Sequence, residues 1–230
     1  MIPRIIHCCW LSGKEKTPLA EKCRASWSEF APGWEIKEWI AEDFMRMNPP
    51  PFAKGAYSAG KWAFAADYLR FAALYEDGGI YLDYDVELVA PLSISAPFVA
   101  TQFLPNGGTG FEPAVIALEK GSLLAKAVMD EYSSLPFSMN LTAGEVFSSV
   151  VERGSFDIAR AEREVFSPID VDGSIRATEK TLAIHHCAMS WAPLRRRAAR
   201  WMSWHGMRKL VDFLIGARNI LWRRQRGGGA

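Results

Sequence analysis

The run from residue 58 to residue 88 constrains this chain most. An alanine- and aromatic-rich segment, SAGKWAFAADYLRFAALYE, meets Asp77-Gly78-Gly79 and then IYLDYDVEL. The first part has helix propensity and an apolar face, and the glycine pair is a stop signal for it. The second part runs from apolar residues into three acids at i, i+2 spacing. Asp83, Asp85 and Glu87 share one face if a single strand carries them all. Carboxylates that close repel unless a metal, a basic side chain or water lies between them. A helix followed by a strand with acids at its far end is the layout of an α/β domain, where ligands bind at strand ends.

The flanking sequence repeats the alternation. IPRIIHCCW (2–10) is a β-branched apolar run and reads as a buried strand. PLAEKCRASWSEF (18–30) places Leu19, Cys23, Ser26/Trp27 and Phe30 on one helical face, with Pro18 suited to a first turn. Ala31-Pro32-Gly33 breaks that helix, and WEIKEWI (34–40) alternates as a strand; a loop with Pro49, Pro50 and Pro51 follows. Further on come a strand at 97–103, a glycine-rich loop NGGTG (106–110), a helix over about 121–134 and a strand TLAIHH (181–186). The order β-α-β-loop-α-β predicts a largely parallel sheet. No boundary is visible before about residue 193, so residues 1–193 are expected to form one domain and 194–230 an extension.

The net charge of +1 conceals a split. Residues 195–230 hold ten Lys/Arg against one acid, Asp212, which leaves the preceding part net acidic by eight. Such asymmetry suggests a partner for the basic end. The four cysteines, at 8, 9, 23 and 187, have neither zinc-type nor CxxC spacing, which argues against a disulfide framework and for a reducing compartment. No stretch of about 18 apolar residues occurs, and the N-terminus lacks a signal-type apolar core.

Two carboxylates at i, i+2 on a strand end can hold a hard divalent cation, magnesium or manganese, with positions left for a diphosphate. A solvated strand end is the plain alternative. Asp67 and Arg70 stand at i, i+3 in the preceding helix and so lie on one face, either as an ordinary intrahelical ion pair or as part of the same cleft. Tyr81 shares the Asp83/Asp85 face by period-two counting and could touch a base or ribose.

These segments resemble a known family. IPRIIHCCWLSG, ASW (25–27) before APGWEIKEW, the block KWAFAADYLRFAALYEDGGIYLDYDVELVAPL and the closing IHHCAMSW (184–191) are similar to glycosyltransferase family 32, sugar-binding-region enzymes with a DxD motif. That family includes capsule and lipopolysaccharide transferases and fungal initiating mannosyltransferases, and its core motif also occurs in clostridial glucosylating toxins. The resemblance implies an A-type glycosyltransferase (GT-A, Rossmann-like) fold with a single nucleotide-sugar-binding domain. It also implies a manganese or magnesium ion, a nucleoside diphosphate sugar donor, a glycan or lipid-linked glycan acceptor, and retention of configuration. By the match, Asp85 is the more direct metal ligand, and Asp83 bonds donor hydroxyls and reaches the metal through water. Asp67 and Arg70 hold the transferred sugar, and Trp10 stacks on the base. His186 is expected as third metal ligand, with His185 competing because only one of the pair can face the site. Ser190 and Trp191 are expected along the diphosphate, and Asn106 near donor or acceptor. Glu87 lies beyond the motif and is expected to be salt-bridged or solvated. One departure is Thr142-Ala143-Gly144, where family members often carry Thr-Gly-Pro. Two other readings stay open. One is a catalytically silent nucleotide-sugar-binding module on the same fold. The other is a haloacid-dehalogenase-type phosphatase, which would want Thr or Val where this chain has Glu87.

The tail LRRRAARWMSWHGMRKLVDFLIGARNILWRRQR (194–226) spreads arginines among Trp201, Trp204, Leu214, Ile215 and Trp222, the make-up of an interfacial amphipathic helix. The expected location is therefore cytoplasmic, peripheral on the cytoplasmic face of an anionic membrane; a helix packed on the domain is the alternative, and no motif supports nucleic-acid binding. Cations near anionic lipid contribute about 1 kcal/mol each. Co-sedimentation with anionic liposomes is expected for the full chain and lost on removal of residues 195–230; equal recovery of both would defeat the membrane reading.

Overall fold

The computed structural model describes residues 1–103, 108–170 and 172–188, with 192, 198, 201 and 202 as short pieces. Within them the elements run β1 (Ile5–Cys9), α1 (Pro18–Phe30), β2 (Glu35–Trp39), α2 (Ala41–Arg46), α3 (Pro51–Ser58) and α4 (Trp62–Asp77). Then come β3 (Gly79–Leu82), β4 (Val86–Leu88), β5 (Phe98–Phe103), β6 (Thr109–Leu118), α5 (Leu123–Ser134), α6 (Ala143–Arg153), β7 (Ala159–Ala161), α7 (Arg163–Phe166) and β8 (Ala183–His185).

Six strands form one sheet in the order β2-β1-β3-β6-β5-β7. Only β6 runs against the other five, so the sheet is mostly parallel, as the β-α-β order predicts. Side chains alternate between two cores along these strands. Tyr81, Val99 and Ile116 pack with α3, α4, α5 and α6 on one side. Ile80, Leu82, Ala100 and Ala117 pack on the other, with α1 and the small β4-β8 sheet. No helix among the described residues is long and apolar enough to cross a membrane.

Helix α1 spans the expected residues because Thr17 caps it, accepting from Ala20 N–H, and Pro18 opens it. Its buried face completes β4: Trp27 Nε1 donates to Val86 O at 2.8 Å and Leu88 N donates to Ser26 Oγ at 2.9 Å. Helix α4 is buried without interruption from Phe64 to Leu74, the signature of a helix inside a core rather than on a surface. It stops at Gly78 and Gly79 for a steric reason. Both have positive φ, and a Cβ would stand 2.5 Å from Lys120 N and from Ile5 O respectively.

The structure departs from the sequence reading in three places. The run IYLDYDVEL is not one strand: Val86 N–H donates to Asp83 O at 2.9 Å, closing a turn that separates β3 from β4. The loop with three prolines contains α2 and α3, the latter opened by Pro51 at its first position. The glycine-rich stretch leads into β6, a ten-residue strand whose pairing with β5 is bulged between Val99 and Ala100. Pro113 sits in that irregularity, where a strand tolerates a residue without N–H. The division at residue 193 and most of the expected extension lie outside the described residues.

A buried histidine ties the parallel strands to the α4–β3 junction. Trp39 Nε1 donates to His7 Nδ1 at 2.9 Å, and His7 Nε2 lies 2.8 Å from Gly78 O. An indole N–H only donates and a carbonyl only accepts, so His7 is neutral with its proton on Nε2. Burial holds its pKa below the usual 6.5, although the Gly78 bond pulls the other way. The unfolded chain therefore binds a proton near pH 6.5 that the folded chain resists, and stability falls as pH drops below that point, by at most about 1.4 kcal/mol per pH unit. In urea denaturation, the stability advantage of wild type over His7→Gln is expected to shrink between pH 7 and pH 5. Parallel curves would refute the assignment.

Candidate active site

The turn at the end of β3 is where the acids gather. Because α4 has no solvent face along Phe64–Leu74, Asp67 and Arg70 are forced inside and must be paired. Arg70 Nη2 donates to Asp67 Oδ1 at 2.7 Å, and Nη1 donates to Pro113 O at 2.7 Å and reaches Asp83 Oδ2 at 3.5 Å. The guanidinium also lies 4.8 Å from the Tyr81 ring centroid. Tyr81, itself buried, donates its hydroxyl to Asp83 Oδ1 at 2.8 Å, so both Asp83 oxygens are held from within. The Arg70 side chain is 5% exposed and that of Asp83 29%, so the arginine faces the interior and the acid faces the opening.

Asp85 is held from the other side. Ala188 N donates to its Oδ2 at 2.7 Å, His186 N donates to its backbone oxygen at 2.8 Å, and His185 Nε2 lies 3.4 Å from its Oδ1. The β4-β8 pairing places His185 opposite Val86, directly after the turn. The other ring nitrogen, Nδ1, lies 2.9 Å from Glu112 Oε2 and 3.4 Å from Cys187 Sγ. Asp83, Asp85 and His185 each offer one ligand atom, and these atoms all lie within 4.8 Å of one another. Two carboxylates and an imidazole suit a divalent cation such as manganese or magnesium.

The electrostatics follow from this packing. Burial raises the Asp67 carboxyl to about 7 against the pull of Arg70. Burial also raises Asp83, again opposed by Arg70, with Asp85 adding repulsion. Asp85 goes the other way: burial works against its charge, but His185 and the Ala188 N–H outweigh it and bring it to about 2. His185 is raised well above 6.5 because Cys187, Glu112 and Asp85 outweigh the cost of burial. Both of its nitrogens face carboxylates, so without a cation the ring is an imidazolium.

Several expectations are corrected by these contacts. His186 does not face the acids; its Nε2 lies 2.8 Å from Glu87 Oε2, and His185 takes the inward position. The β4-β8 register, which sets His185 opposite Val86, decides which ring points in. Glu87 is salt-bridged, as expected: the turn carries it onto β4, where Lys22 Nζ donates to it at 2.8 Å. Tyr81 serves Asp83 rather than lining an opening, and Arg70 has little surface with which to touch a ligand. Trp10 stands half-buried at the end of β1, edge-on to Tyr84 at 5.0 Å, with its Nε1 donating to Lys14 O at 2.7 Å. Thr142, at the departure from the family pattern, caps α6 in a reciprocal bond with Glu145. Asn106, Ser190 and Trp191 lie outside the described residues.

Glu112 is absent from the sequence reading. It is buried on β6, and its Oε1 takes Ala114 N–H at 3.1 Å. Its one sequence signal is an acid followed by proline at the head of an apolar run, FEPAVIAL. The same bulged stretch supplies Pro113 O to Arg70 and Ala114 O to Asp83 N at 3.0 Å.

Comparison with known proteins places likeness in the same stretch of chain. Residues 18–103 match the family model described as glycosyltransferase sugar-binding region containing DXD motif. An uncharacterized glycosyltransferase, L373 of Acanthamoeba polyphaga mimivirus, is 34% identical over 91 residues, which are 37% of this chain and 36% of that protein. The chain thus spans about a third of the curated relative it matches. Among solved structures, the PaToxG glycosyltransferase superposes with a TM-score of 0.55 at 19% identity, over 66% of this chain and 69% of that one. A glycosyltransferase involved in the glycosylation of the major capsid of PBCV-1 gives 0.48 at 17% identity, over 85% and 96%. Residues 18–103, which hold Asp67, Arg70, Asp83 and Asp85, are thus similar to a glycosyltransferase sugar-binding region with a DXD motif, and the chain has an A-type glycosyltransferase fold.

Proposed function

We propose that this chain is a divalent-metal-dependent, retaining glycosyltransferase. It moves a sugar from a nucleoside diphosphate sugar, a UDP-sugar first and GDP-mannose second, to a glycan or lipid-linked glycan in surface polysaccharide synthesis. The observation that carries this reading is the meeting of Asp83 and Asp85, inside the matched region, with His185 brought beside them by β8 from outside it. In it, Asp83, Asp85 and His185 hold manganese or magnesium, which when bound offsets charge on the departing diphosphate.

The remaining roles belong to the chain itself. Asp85 is anionic at neutral pH and fixed by Ala188 N–H, so it is ready to accept a cation without reorganising. Arg70 and Tyr81 hold Asp83 by both oxygens and thereby act through it. Asp67 anchors Arg70 and accepts from a donor sugar hydroxyl. Trp10 offers its half-buried ring to the base, while Ser190 and Trp191 line the diphosphate and Asn106 approaches donor or acceptor. No side chain among the described residues stands as an assured nucleophile, so front-side attack with a diphosphate oxygen as base is the preferred course.

Two outcomes test this reading. A panel of UDP- and GDP-sugars with manganese is expected to raise the melting temperature for one donor class, a ligand at 100 times its Kd contributing about 2.7 kcal/mol. Asp85→Ala is expected to lose both that shift and metal-dependent donor turnover. Wild-type-like hydrolysis of every nucleotide sugar by Asp85→Ala would sink the assignment. Shifts without any turnover would point to a silent binding module instead.

The positioning role of Arg70 has its own test. Arg70→Met leaves the Asp67 and Asp83 carboxylates uncompensated, and should lower unfolding stability at pH 7 by about 3–5 kcal/mol. The loss should shrink toward pH 4, because the folded variant then takes up protons on acids whose pKa values are raised above the unfolded ones. A pH-independent loss would show that the arginine matters only for packing.

A further inference from the structure

We infer that Glu112 is a positioning residue for the ion site: it fixes the His185 ring with Nδ1 protonated, so that Nε2 is the nitrogen presented to Asp83, Asp85 and a divalent cation. The inference rests on the metal reading above and extends it to a residue outside the matched region. A carboxylate only accepts, so the 2.9 Å contact between Glu112 Oε2 and His185 Nδ1 requires the proton on Nδ1. That leaves Nε2, which faces Asp85 Oδ1 at 3.4 Å, as the nitrogen turned toward the ion site.

The carboxylate is itself immobilised. Glu112 is 3% exposed, its backbone pairs with Ala100 beside the irregularity of β6, and its Oε1 takes Ala114 N–H at 3.1 Å. Both oxygens are thus used, one by the strand that frames the turn and one by the imidazole. Keeping a carboxylate inside an apolar strand costs stability unless its bonds are made, and here one of them goes to the candidate ligand. Glutamine has the same shape but one oxygen for two donors. It must therefore either turn an N–H toward Ala114 N–H or turn one toward Nδ1, which would leave the proton on Nε2.

The test is a double-mutant cycle read by electron paramagnetic resonance titration of Mn²⁺ alone onto the full chain, for wild type, Glu112→Gln, His185→Asn and the double variant. Glu112→Gln is expected to weaken Mn²⁺ binding by about 10–100-fold. In the His185→Asn background the same change is expected to cost less than about twofold, because the two side chains act as one unit. Thermal melts of the ion-free proteins confirm that each is folded, and the isosteric glutamine keeps the buried volume. Unchanged affinity in Glu112→Gln overturns the inference while leaving the ion site intact. An equal loss in both backgrounds also overturns it, showing a general structural effect. Absence of Mn²⁺ binding to wild type overturns the ion site, and this inference with it.

Discussion

A guanidinium inside a protein must be met by acceptors, and the site depends on how Arg70 is met. Helix α4 has no surface along eleven residues, so a charged pair placed there cannot be solvated. Arg70 reaches Asp67 on its own helix, the Pro113 carbonyl on β6 and Asp83 on the turn after β3. Three elements are therefore pinned by one side chain. The ordinary small value of an i, i+3 surface pair does not apply, because neither partner has water to fall back on.

The chain's elements were legible where a single segment determines them. Residues 18–30 form a helix because proline, cap and apolar face agree, and the glycines at 78 and 79 end α4 because no side chain fits there. The acids at 83 and 85 could be located from spacing and family likeness. What could not be read was anything decided by a partner strand. The turn that breaks IYLDYDVEL into two strands forms because β4 is bonded to α1 and β8 instead of continuing β3. His185 rather than His186 faces inward because its register opposite Val86 is set by that pairing, and the sequence holds two adjacent histidines with nothing local to separate them. Glu112 is silent for the same reason: its role exists only when β6 lies beside β3.

The division between α4 and the irregular strand β6 also explains why the site is polar in so apolar a place. β3 contributes a fully buried run, Gly79 to Leu82, and the chain must leave the sheet before carboxylates can be tolerated. The turn closed by Val86 N–H and Asp83 O gives it that exit within three residues. Pro113, lacking a donor, interrupts the facing strand at the same level, so its carbonyl turns to Arg70, while Ala114 O still meets Asp83 N–H in the register of β3 and β6.

The two aspartates that look alike in sequence are made unlike by their neighbours. Asp83 has its charge partner behind it, in an arginine shared with Asp67, and burial leaves it holding a proton more readily than a free carboxyl. Asp85 has an imidazolium and a backbone N–H of its own, which keep it ionised to about pH 2. The imidazolium is in turn held by Glu112, so positive charge already occupies the space between the acids when no cation is bound. If Asp83, Asp85 and His185 held a divalent ion, the Nε2 proton of His185 would leave as that ion bound. Such an exchange would avoid gathering bare carboxylates at the strand end, and would make the histidine, as much as the two acids, a group on which a divalent ion depends.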